Sequence, residues 1–145
     1  MTNLLRQTML GAAGVLLVGG AVSLFAQSGE DPIAHGQMLY DMHCAKCHGD
    51  EGRGDGPLGK KAATRPTDLT RLTATNAGAF PREILRQVID GRAKVPAHAT
   101  PDMPVWGETF ARQADLGQGN ADIEKVVQER IDHLLAFLET LQAKK

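Results

Sequence analysis

The sequence predicts an all-α fold, three or more helices separated by long loops and preceded by an N-terminal apolar leader helix. Three observations predict it. The segment ADIEKVVQERIDHLLAFLETLQ carries apolar residues at steps of three and four. No stretch shows the two-residue alternation of a half-buried strand. The segments between the periodic ones are rich in Gly, Pro, Thr and Asp, a composition of loops.

The leader comes first. Residues 1–26 contain a single charge, Arg6, and Met9 to Ala26 is uncharged. A basic start followed by an apolar run is the layout of an export signal. Its uncharged core reaches the lower edge of what spans a bilayer. Residues 1–26 are therefore a signal peptide or an N-terminal membrane anchor, and residues 27–145 are one exported domain. Ala26 suits a cleavage site, whereas Leu24 is larger than such sites prefer.

Asp31-Pro32 then reads as an N-cap with proline at the first helical position, opening a helix from Ile33 to Cys44. Residues 49–80 read as loop with one helical turn. Pro81 opens a second helix, in which Ile84, Leu85, Val88 and Ile89 recur at helical spacing and Gly91 stands at the C-cap. A second loop, residues 93–107, carries Pro96, Pro101 and Pro104, and Thr109 to Gln113 reads as one further turn. The last helix has the clearest stripe: Ile123, Val127, Ile131, Leu134, Leu138 and Leu141.

Composition narrows the function. The chain has 16 Lys and Arg against 17 Asp and Glu, with no basic patch that suggests nucleic acid. Four Phe, one Tyr and one Trp are few for a domain of this size. Something other than side chains should fill part of the core.

Both cysteines stand in YDMHCAKCHGDEG, residues 40–52. A thioredoxin-like dithiol needs a preceding strand, and none is legible. A structural zinc needs four ligands, and no second pair matches. Cys44-Ala-Lys-Cys47-His48 instead fits covalent attachment of one haem c. Positions i and i+3 of a helical turn place both thiols on one side, and His48 reaches the iron. A second axial ligand is then required on the opposite face. Met38, Met42, His35 and His43 share the helix of the cysteines, and His133 reads as a surface or boundary position of the last helix. Met103, in TPDMPVWG, lies on a loop stiffened by Pro101 and Pro104 and is the expected ligand. His98 is the alternative.

With Met103-Pro-Val-Trp-Gly downstream and Gly36, Tyr40 and Cys44 spaced by four upstream, the chain resembles the class I (monohaem) c-type cytochromes. The likeness spans Asp31 to Gln142. It implies a cytochrome c fold over residues 27–145, wrapped around one haem. The first helix should cross the last at Gly36, against Leu134 and Phe137 or Leu138. It also implies that Pro57, in Gly56-Pro57, offers its carbonyl to the N–H of His48; the other reading is a turn proline. Trp106 should pack near the haem or serve as a plain core anchor.

Arg53-Gly54-Asp55 is read as a chance adhesion tripeptide. GDGPLGKK fails as a P-loop because Lys61 replaces the required Ser or Thr. Asp50, Glu51 and Asp55 do not match a calcium loop. The expectation is a periplasmic single-electron carrier without catalysis of its own, exchanging electrons with redox partner proteins. Membrane contact would come only through an uncleaved anchor. The alternatives are a haem subunit of a periplasmic oxidoreductase complex, such as one oxidising sulfur compounds, or a membrane-anchored shuttle to a terminal oxidase.

Overall fold

The computed structural model describes residues 31–93, 103–118 and 122–143. The leader and His98 lie outside the described residues. Every regular element among the described residues is helical. No helix among them is long and apolar enough to cross a membrane.

Helix α1 spans Pro32–His43, with the Asp31 carboxylate accepting from Ile33 N–H at 2.9 Å as its N-cap. Cys44 closes α1 and opens α2, Ala45–His48. The loop that follows holds two 3-10 turns, Gly59–Lys61 and Leu69–Arg71, and the short helix α3, Leu72–Thr75. It is thus more ordered than its composition suggests. Helix α4, Arg82–Asp90, ends at Gly91 in the left-handed conformation, as the C-cap pattern predicts. Helix α5 runs Trp106–Gln118, longer than the single turn expected at Thr109 to Gln113. Its buried side consists of Gly107, Phe110 and Ala114, at steps of three and four. A stripe in which glycine and alanine outnumber the one large apolar residue leaves little periodic signal. Helix α6, Ile123–Thr140, is capped by Asp122, whose carboxylate accepts from Lys125 N–H at 3.3 Å.

The core is the crossing of α1 with α6, flanked by α4 and α5. Leu39 and Tyr40 meet Ile131, Leu134, Leu135, Phe137 and Leu138, all buried. Gly36 makes the crossing possible. A Cβ there would lie 1.9 Å from the His133 carbonyl oxygen and 2.9 Å from Phe137 Cβ. The close approach expected of the family is present, and it includes the α6 backbone at His133. Tyr40 and Phe137 rings pack with centroids 5.2 Å apart. Helix α4 is tied to α6 by ion pairs of Arg82 with Glu139 and Arg86 with Asp132. Arg92 at its end reaches Glu124. These bonds are partly exposed and orient more than they stabilise.

Gln142, just beyond α6, pins the middle loop to the core. Its amide accepts from Thr73 N–H at 2.9 Å and donates to Leu69 O at 2.8 Å. The Tyr40 hydroxyl donates to Gly49 O at 2.5 Å from a fully buried ring. Burial raises the Tyr40 pKa, so the phenol remains a donor throughout the physiological range. Tyr40→Phe is expected to cost about 1 kcal/mol by denaturant unfolding. The loss is modest because Gly49 O retains the Gly52 N–H at 3.0 Å.

Candidate functional site

The site starts from one helical turn. The backbone N–H groups of Cys47 and His48 both donate to Cys44 O, at 3.0 and 2.9 Å. That turn sets the two thiols at i and i+3 on one side and carries His48 next to them. The two cysteines do not form a disulfide. Burial, and secondarily Cys47, pushes the Cys44 thiol up to about 12.

His48 is buried, and its Nδ1 lies 3.0 Å from Thr67 O. A carbonyl can only accept, so Nδ1 carries the hydrogen and the lone pair resides on Nε2. An acceptor on the far nitrogen fixes ring orientation and tautomer and raises the basicity of a metal-ligating imidazole. The acceptor is Thr67, and this corrects the expectation for Pro57. Gly56-Pro57 instead closes the end of α2, with Gly56 N–H donating to Cys47 O at 3.2 Å and Leu58 N–H to Lys46 O at 2.9 Å. The chain comes back alongside the imidazole at Thr67.

That return is held from several directions. Leu69 N–H donates to Gly52 O at 2.7 Å. Asp68 accepts from Thr70 N–H at 3.0 Å and from its hydroxyl at 2.6 Å, bonds that hold its carboxyl below the usual range. Gly54, at φ 72°, lies against Pro66; a Cβ there would fall 2.2 Å from Pro66 O. Its N–H donates to His48 O at 2.7 Å. The Arg53-Gly54-Asp55 tripeptide is thus a turn that seats the histidine acceptor. No sequence pattern singled out Thr67, because a backbone carbonyl carries no side-chain signature.

His48 opens onto an apolar cavity of about 60 Å³. Tyr40 and Cys44 line it from α1, and Thr67, Leu69 and Leu72 line it from the loop. Leu85, Val88 and Ile89 contribute from α4, and Leu134 and Leu138 from α6. Met103 and Trp106, before and at the start of α5, complete the wall. Trp106 therefore does border the cavity, while its ring also packs on His43, centroids 5.0 Å apart. His43 sits between Trp106 and Phe110, and burial lowers its pKa, helped by Arg130 and Lys46.

The structure therefore brings Cys44, His48 and Met103 to one apolar cavity, with Cys47 on the same turn. The donor set fits a covalently held haem. Two thiols stand at i and i+3 of one helical turn, an oriented imidazole has its lone pair on Nε2, and a thioether borders the same space. Leu and Ile side chains supply walls for a flat apolar group.

Comparison with curated proteins and with solved structures returned no significant match. A protein-family model does match, over residues 31–118. That stretch contains α1 through α5, with the cysteine turn, Thr67 and Met103. The chain accordingly belongs to the family described as cytochrome c oxidase, cbb3-type, subunit III, whose cytochrome c domain is a haem-binding electron carrier.

Proposed function

We propose that this chain is a periplasmic single-electron carrier with one haem, attached through Cys44 and Cys47 and ligated axially by His48 and Met103. Residues 1–26 export it, and residues 27–145 form the carrier domain. The observation that carries the reading is the convergence of His48, held by Thr67 O at 3.0 Å, with Met103 and Cys44 on one apolar cavity. When bound, haem supplies the one-electron couple. The chain contributes the rest. His48 is held in one tautomer, the thioether arrives on a proline-bordered segment, and the apolar walls exclude water. Little then reorganises on electron transfer. With protein donors at both axial positions no site remains for a substrate, so the chain itself performs no further chemistry.

The family description favours a second, narrower reading of the electron acceptor, a terminal oxidase served by a carrier tethered through residues 1–26. Both readings share the test of ligation. The oxidised protein is expected to show a methionine–iron charge-transfer band, and the reduced protein to resist carbon monoxide. Its mass should equal the polypeptide plus one haem, and a chain starting at residue 27 separates cleavage from a retained anchor. Rapid carbon monoxide binding by the unmodified protein would sink His48/Met103 ligation.

A further inference from the structure

Away from the haem cavity, the α1–α6 crossing places two histidines in contact. His35 Nδ1 lies 3.0 Å from His133 Nδ1, with ring centroids 4.8 Å apart and planes inclined at 45°. Both residues are half-buried, so the pair is fixed by packing and still reached by solvent. Its spacing is not a matter of side-chain reach alone. Gly36 brings the α1 backbone against the His133 carbonyl, which holds the two helices at a set separation beside the pair.

We propose that His35 and His133 form a binding site for a borderline divalent transition metal, copper(II) foremost, which bridges α1 to α6. Two imidazole nitrogens bound at about 2.0–2.1 Å span about 2.9 Å at a right angle and about 3.3 Å at the tetrahedral angle. The observed 3.0 Å lies close to the right-angle value. A cis pair of nitrogens in a tetragonal field is the preference of copper(II) and nickel(II), and copper(II) heads the affinity order of the first-row divalent metals.

In the absence of metal, one ring donates Nδ1–H to the lone pair of the other. On metal binding the donor ring moves that hydrogen to Nε2, and both Nδ1 lone pairs face the ion. No net proton is released from the neutral pair. No cluster of three or more histidine, cysteine or carboxylate groups suited to a metal occurs among the described residues. Water can complete the coordination, which leaves the ion exchangeable. Met38 stands one turn after His35, and Glu129 one turn before His133, so a soft donor and a carboxylate flank the pair.

The test is calorimetric titration of the full-length, haem-loaded, oxidised protein with copper(II), followed by electron paramagnetic resonance at one equivalent. The expected result is a single site per chain with hyperfine splitting from two imidazole nitrogens. Zinc(II) should compete for it, and either metal should raise the unfolding temperature. His35→Gln and His133→Gln should each weaken copper binding at least tenfold while leaving the haem visible spectrum unchanged. Because His133 lies on the core helix, His35→Gln alone suffices if the other variant fails to fold. The proposal is overturned if the unmodified protein takes up no copper, or if copper binds His35→Gln as tightly as the unmodified chain.

Discussion

Replacing Met103 by alanine is expected to abolish the methionine–iron charge-transfer band and to open the reduced protein to carbon monoxide. The reduction potential should fall by on the order of 0.1 V, within the ~0.8 V range that axial ligands command. The direction follows from the ligand, because methionine opposite histidine raises the potential of a cytochrome c. Attachment should survive, since the turn that carries Cys44, Cys47 and His48 is closed by backbone hydrogen bonds to Cys44 O. Met103→His is the companion variant. It should keep carbon monoxide out by bis-histidine ligation while still losing the band and lowering the potential. A visible spectrum and a redox titration read all of these effects. A Met103→Ala protein with its band and potential intact would remove Met103 from the iron.

The Gly36→Ala variant is expected to lose about 3 kcal/mol or more of folding stability, the upper end for an overpacked site. The added Cβ would meet the His133 carbonyl oxygen at 1.9 Å and its carbon at 2.6 Å. Both are backbone atoms in the middle of α6, so no rotamer change relieves the contact. Separating the helices instead would expose Tyr40, Leu134 and Phe137, which are buried at that crossing. Natural domains hold only about 5–15 kcal/mol in reserve, so the loss is a large share of the total. Denaturant unfolding of the haem-loaded variant measures it. An unfolding midpoint equal to that of the unmodified chain would show that α1 does not rest on α6 at this position.

The helices with strong local signals were legible in advance. Asp31-Pro32 opens α1, Gly91 closes α4, and the stripe from Ile123 to Leu138 builds α6. The cysteine turn was legible because its chemistry demands a fixed local spacing, and one turn of helix supplies it. Helix α5 was underestimated because alanine and glycine pack well and yet register weakly as a hydrophobic period. The acceptor of His48 was assigned to Pro57 on family likeness, whereas Thr67 O holds that place.

What the sequence determined by itself is whatever depends on neighbours within a turn or two: caps, the helical stripes and the Cys44–Cys47–His48 spacing. What only the tertiary structure decided is which distant groups meet. Thr67 reaches His48 across nineteen positions, and His133 reaches His35 across ninety-eight. The physical reason is common to both. Such contacts are set by how the chain returns, through a loop seated at Gly54 in one case and a helix crossing at Gly36 in the other. The groups that meet, a backbone carbonyl and a pair of histidines, carry no periodic or spacing signal of their own.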